Sequence, residues 1–206
     1  MARSSRFWDR HAVRYSKRPV ADEAAYQKKL RMTQEHLHPD MEILEFGCGT
    51  GSTALTHAPY VKHILAIDYS PKMIEIARTK ADAQNVTNAT FEHACITDFD
   101  GTPASYDAVM GHSILHLMKN WREITDKVHA MLKPGGIFVT STTCLKGQLP
   151  LLRAIIPIGN VLGLLPNVEF FSGEELTEHL KKTGFTIAYH WEPDDKVVFI
   201  IAQKAA

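Results

Sequence analysis

Cysteine, surplus charge and long apolar runs are what this 206-residue sequence has least of. Its three cysteines, Cys48, Cys95 and Cys144, lie far apart, and no Cys-x-x-Cys pair is present to hold zinc or a redox disulfide. No metal is expected, and a reducing cytoplasm suits such cysteine usage. Lys+Arg and Asp+Glu both total 23. Without a basic excess there is no bulk attraction to phosphate backbones or anionic membranes, so no nucleic-acid partner is expected. No stretch reaches the roughly 18 or more uninterrupted apolar residues that a membrane span requires. The first residues, Met1 to His11, are basic in part but lead into no apolar segment, and do not read as a secretory signal. Internal repeats, low-complexity tracts and interdomain linkers are also missing. These absences predict one cytoplasmic domain over residues 1–206, with an N-terminal arm and helix at 1–40, a core at 41–141, an apolar insertion at 145–171, and a helix and hairpin at 172–206.

What is present alternates. Tyr26, Leu30 and Leu37 recur at helical spacing between Pro19 and Pro39. Met41 to Phe46 is a short apolar run that ends in glycines, and reads as a buried strand followed by a helix from Ser52 to His57. Val61 to Asp68 repeats the pattern, with Ser70-Pro71 opening a helix to about Asn85. Strands are predicted at Thr90–Ala94 and Tyr106–Met110, then a helix capped by Asn120, and an abrupt turn at Lys133-Pro-Gly-Gly136 into a strand at Ile137–Ser141. Strand and helix in strict alternation predict a parallel sheet covered on both faces, a doubly wound α/β fold. The C-terminal part breaks the rhythm. Ser172 and Glu175 form a capping box, Gly184 ends that helix, and the strands Phe185–His190 and Lys196–Ala202 are separated by too few residues for a parallel crossover. An antiparallel hairpin should close the sheet.

The chemistry concentrates where the first strand meets its helix. Gly47, Gly49 and Gly51 permit a sharp turn and let a ligand approach backbone amides that a Cβ would obstruct. In a doubly wound sheet, ligands bind at this carboxyl end. Asp68 ends the second strand, where a carboxylate can accept hydrogen bonds from both hydroxyls of a ribose. A dinucleotide fingerprint would need Gly or Ala at position 52, which is Ser52, so the nicotinamide-dependent oxidoreductase is the disfavoured reading.

These residues resemble the class I S-adenosylmethionine-dependent methyltransferases, in particular the small-molecule branch that includes the ubiquinone- and menaquinone-biosynthesis enzymes. Ile43-Leu-Glu-Phe-Gly-Cys-Gly-Thr-Gly51 is similar to the family's first motif and Ala66-Ile-Asp-Tyr-Ser-Pro-Lys-Met73 to its second. Tyr106-Asp-Ala-Val-Met110 and Leu132-Lys-Pro-Gly-Gly136 are similar to two later ones. The resemblance implies S-adenosyl-L-methionine as cofactor, S-adenosyl-L-homocysteine as product and a small-molecule methyl acceptor. It implies that Glu45 orients the methionine ammonium, that Gly47 and Gly49 give close backbone contacts, that Asp68 holds the ribose, that Met73 packs on the adenine, and that Gly51 and Tyr69 belong to the same cofactor site. Cys95 and Ile96 would flank the adenine edge, with Asp98 or backbone replacing an acidic residue that the family often has there. Gly111 would line the path of the methyl group. Tyr15, on an N-terminal segment that folds over the cofactor in related enzymes, would approach it.

In-line displacement at a sulfonium carbon depends on alignment, and needs a base only when the acceptor is protonated. His112 and His116 follow the fourth strand and are the candidate bases; pocket lining and core packing are the alternative roles. The run from Leu149 to Pro166 reads as a lid, a hydrophobic substrate pocket, a structural cap or a membrane-surface contact. A protein that binds the cofactor in a regulatory role without turnover is compatible with the same residues.

Overall fold

The computed structural model describes residues 2–145, 159 and 165–206. The apolar run at 149–166 therefore falls almost wholly outside the described residues, and so does most of the 145–171 insertion.

Seven strands form one sheet: β1 (Glu42–Phe46), β2 (His63–Asp68), β3 (Ala89–His93), β4 (Tyr106–His112), β5 (Leu132–Thr143), β6 (Phe185–Asp194) and β7 (Val197–Lys204). Their order is β3-β2-β1-β4-β5-β7-β6. The first five strands are parallel, while β7 inserts antiparallel between β5 and β6. The doubly wound sheet and its antiparallel hairpin are thus as the residue pattern predicts. The helices are α1 (Ala2–Ser16), α2 (Glu23–Gln34), α3 (Ser52–His57), α4 (Pro71–Ala83), α5 (Trp121–Met131) and α6 (Gly173–Thr183).

Several local expectations shift. The first part of the predicted Pro19 helix is not helical: α2 starts after Asp22, whose side chain accepts the Ala25 amide, because an N-cap oxygen satisfies a donor that Pro19 has no means to serve. Asn120 occupies the position before α5 without making a side-chain cap. Lys133-Pro-Gly-Gly136 does not break the strand; β5 runs through it, with a register irregularity against β4 between Tyr106 and Ala108 and with Gly135 at φ +76°. The hairpin is tighter than predicted, since β6 continues through Pro193 to Asp194 and only two residues remain for the turn. Ser70 and Ser172 cap α4 and α6 as expected, the second in a complete capping box.

Strand alternation divides the core. Leu44, Phe46, Val109 and Phe138 face one way, against Trp121, Ile124 and Val128 of α5 and Leu176 and Leu180 of α6. Ile43, Ala108, Met110, Ile137 and Val139 face the other way, with Ala54 and Leu55 of α3, Ile74 and Ala77 of α4 and Met32 of α2. Continued by steps of two, the second register puts Glu45, His112, Ser141 and Thr143 on the α2–α3 side of the sheet. This parity positions the site.

Candidate active site

The glycine turn after β1 is locked by its surroundings. Gly47, Gly49 and Gly51 have φ of +64°, +54° and +75°, the left-handed region that side chains rarely adopt. A Cβ on Gly47 would come within 2.5 Å of Ile114, and one on Gly51 within 2.7 Å of the Phe91 ring, whereas one on Gly49 would meet only the Tyr15 ring at 3.7 Å. Gly49 is therefore the turn residue that faces open space. Lys80 fastens the turn from α4, donating to the hydroxyls of Thr50 and Ser52 at 2.9 Å each.

Asp68 completes this corner. Its Oδ2 accepts the Gly49 amide at 2.9 Å and its Oδ1 accepts the Ser70 amide at 2.8 Å. Burial raises its pKa, opposed by those two amides. The helix role goes to Ser70, whose hydroxyl accepts the Met73 amide and donates to Asp9 of α1 at 2.6 Å. Met73 is buried beneath, and Tyr69 offers its carbonyl to His93 Nε2. After β3, Ile96 is buried, Cys95 Sγ lies 3.0 Å from Thr97 Oγ1, and Asp98 is exposed.

On the other side of the turn lies a cavity of about 580 Å³. Of the sequence-predicted residues, Tyr15, Glu45, Gly47, Gly49 and His112 line it. Gly51, Asp68, Tyr69, Met73, Cys95 and Ile96 do not; they gather on the β2–β3 side of the turn. Gly111 serves packing, since a Cβ there would sit 2.4 Å from the Phe46 ring. His116 is drawn off the site: its amide donates to Thr142 Oγ1 at 3.2 Å and its Nδ1 lies 3.1 Å from the same oxygen. Thr142 points to the face of β5 opposite Ser141 and Thr143, which do line the cavity.

The cavity wall also holds residues that sequence reasoning missed: Tyr26 and Lys29 of α2, Thr33, and His57 at the end of α3. Only the two-residue step from Met110 and Val139, extended to His112 and Ser141, could have signalled which face they converge on. Lys29 Nζ donates to Ser141 Oγ at 2.9 Å, and burial lowers its pKa against the charges of Asp194 and Asp22. Burial first, then the Glu45 charge, raises Tyr26, while a hydrogen bond with Thr53 acts against both.

Four buried side-chain atoms at this cavity have no hydrogen-bond partner among the described residues. Glu45 is 2 % exposed, its Oε2 has no hydrogen-bond partner, and burial beside the Asp68 charge pushes its pKa up to about 8. His57 is fully buried with both ring nitrogens unpartnered, and burial brings its pKa down to about 4. His112 Nε2 is likewise unpartnered, and its pKa falls to about 3 through burial and through the nearby His57 and Lys29. Buried polar atoms are nearly always satisfied, so four orphaned atoms at one cavity mark a place that a ligand completes.

Comparison with known proteins fits this geometry. Residues 43–136, the span from the first strand through the glycine turn to the start of β5, match the family described as a methyltransferase domain. This part of the chain is similar to a methyltransferase domain. An uncharacterised methyltransferase of Schizosaccharomyces pombe is 34% identical to this chain over 106 residues, covering 47% of this chain and 36% of the relative. The O-methyltransferase resE of Aspergillus sclerotiorum is 27% identical over 192 residues, covering 90% of this chain and 72% of the relative. The chain thus spans about a third of the first relative's length and less than three quarters of the second's. Among solved structures, the YcgJ protein of Bacillus subtilis superposes with a TM-score of 0.72 at 16% identity, over 87% of this chain and 99% of that one, which shows a shared fold. Among the described residues, no helix is long and apolar enough to cross a membrane.

Proposed function

We propose that this chain binds S-adenosyl-L-methionine and transfers its methyl group to a small-molecule acceptor. The observation that carries the reading is the buried Glu45 carboxyl. An acid with an unpartnered oxygen, held beside a glycine turn whose amide is tied to Asp68, is completed by a cation such as an amino-acid ammonium. Bound there, S-adenosylmethionine supplies a methyl group on a sulfonium, a leaving group that is already activated.

The chain's own contribution is binding and alignment. Glu45 takes the ammonium and ionises as it does so; Gly47 and Gly49 supply backbone contacts. Asp68 has lone pairs left for ribose hydroxyls after serving the Gly49 and Ser70 amides. Tyr69, Met73, Cys95 and Ile96 form the adenine side, and Gly51 sets the turn. Tyr15, packed toward Gly49 from α1, closes over the site. His112, the candidate base that faces the cavity, is held uncharged by burial and resists taking a proton, so its part is to line the acceptor side and offer a hydrogen bond. His116, bonded to Thr142 on the opposite face, has no part in this reading. The name of the Aspergillus relative supports an oxygen as the acceptor atom.

Incubating the protein with isotopically labelled S-adenosylmethionine and a broad metabolite mixture tests the proposal. It expects a stoichiometric labelled product; tight binding of the cofactor with no product from any mixture would turn the reading to a regulatory protein without turnover.

A further inference from the structure

The cavity wall at β5 has its own chemistry. Lys29 of α2 reaches Ser141 of β5, and in the sheet order β5 is two strands away from β1, which carries Glu45. With strands spaced about 4.8 Å apart, β5 lies on the order of 10 Å from β1, the strand that carries Glu45. Lys29 hydrogen-bonds a neutral hydroxyl; the Asp194 and Asp22 carboxylates act on it through their charge but make no direct ion pair with it among the described residues. Beside Lys29 stand His57, with two orphaned ring nitrogens, and His112, with one. Both imidazoles are uncharged at neutral pH, so each keeps one N–H donor.

We propose that Lys29, Ser141, His57 and His112 form the acceptor subsite, and that it takes an acceptor with an ionised oxygen: a carboxylate, or the anion of an acidic phenol or enol. The inference rests on the methyl-transfer reading above. An anionic oxygen has lone pairs for the Lys29 ammonium and for an imidazole N–H together, and it satisfies ring nitrogens that no described residue satisfies. A cationic acceptor would be repelled by Lys29, and an apolar one would leave the ring nitrogens unpaired. In the transfer, a lone pair of the acceptor oxygen forms the new O–CH3 bond while the S–CH3 bond breaks and its pair stays on sulfur. The anion becomes a neutral ester or ether, the sulfonium becomes a thioether, and no proton is exchanged. The product then lacks the charge that held the acceptor to Lys29, which favours its release.

The test is titration calorimetry on protein saturated with S-adenosylhomocysteine, using benzoate, 4-nitrophenolate, benzamide and benzylammonium as probes. The two anions are expected to bind at least tenfold tighter than the neutral amide and the cation. Lys29→Met should abolish that preference with the affinity for S-adenosylhomocysteine unchanged, and Lys29→Arg should keep part of it. The proposal is overturned when no anion is preferred, or when the preference survives in Lys29→Met. It is equally overturned when Lys29→Met weakens S-adenosylhomocysteine itself, since Lys29 then holds the cofactor's carboxylate. Failure of the wild type to bind S-adenosylhomocysteine would instead strike the methyl-transfer reading, and the same probes on the ligand-free protein would still decide whether Lys29 selects anions.

Discussion

The carboxylate of Asp68 accepts the backbone amide of Gly49 at 2.9 Å, joining the end of β2 to the turn after β1. The same side chain accepts the Ser70 amide, so one residue fixes both the glycine turn and the start of α4. Hydrogen bonds to a charged group contribute about 1.5–3 kcal/mol each. Asp68→Ala is therefore expected to weaken S-adenosylhomocysteine binding by roughly ten- to a hundredfold in calorimetry and to lower the melting temperature as well. Asp68→Asn keeps the shape but puts an amide donor against one of the two N–H groups, and should fall between the two. Equal affinity in all three proteins would remove Asp68 from the binding site.

Stability should peak near neutrality, for reasons that can be separated. The folded protein holds a proton on Glu45 up to about pH 8, whereas the unfolded chain releases it near 4.5. That contribution is complete below pH 4.5 and is lost as pH rises toward 8. His57 and His116, with folded pKa values of about 4, and His112, at about 3, refuse protons that the unfolded chain accepts near 6.5. Their contribution is complete above pH 6.5 and is lost as pH falls. Below 6.5 three imidazoles outweigh one carboxyl, and above it only the Glu45 slope remains, so these groups place the maximum near pH 6.5. Denaturant unfolding of Glu45→Gln should show the alkaline decline removed, with higher stability at pH 8 than the wild type and weaker cofactor binding. An unchanged pH profile would mean that Glu45 ionises normally.

Two glycines should separate packing from binding. Gly111→Ala puts a methyl group 2.4 Å from the Phe46 ring, an overpacking expected to cost about 1–3 kcal/mol. Its folded fraction should bind S-adenosylhomocysteine normally. Gly49→Ala meets only the Tyr15 ring, at 3.7 Å, and its methyl group occupies the space through which a ligand nears the turn. It should lose binding out of proportion to its loss of stability. Thermal melts with and without S-adenosylhomocysteine distinguish the two, and a binding defect in Gly111→Ala would return that residue to the ligand path.

The adenosine half of the site was more legible in the sequence than the acceptor half, and locality explains why. Gly47, Gly49 and Gly51 form one turn, and Asp68 ends the neighbouring strand, so their relation follows from two adjacent βα units. The C-terminal hairpin was legible for the same reason, from a short connection, although the insertion of β7 between β5 and β6 was not specified. Lys29, His57, His112 and Ser141 come from α2, α3, β4 and β5, and nothing within any one segment shows that they meet. His112 and His116 looked equivalent as neighbours in sequence. Strand parity and the hydroxyl of Thr142 send them to opposite faces. Gly111 illustrates the converse error, a glycine between site residues that is there to admit the Phe46 ring.

The central claim is that the glycine turn with Glu45 and Asp68 binds S-adenosylmethionine, and calorimetric titration of the wild type with S-adenosylhomocysteine and, separately, with a nicotinamide dinucleotide tests it most directly. The account predicts one-to-one binding of S-adenosylhomocysteine, lost or sharply weakened in Asp68→Ala, and no heat from the dinucleotide. Binding of the dinucleotide in place of S-adenosylhomocysteine, or of neither, would contradict it.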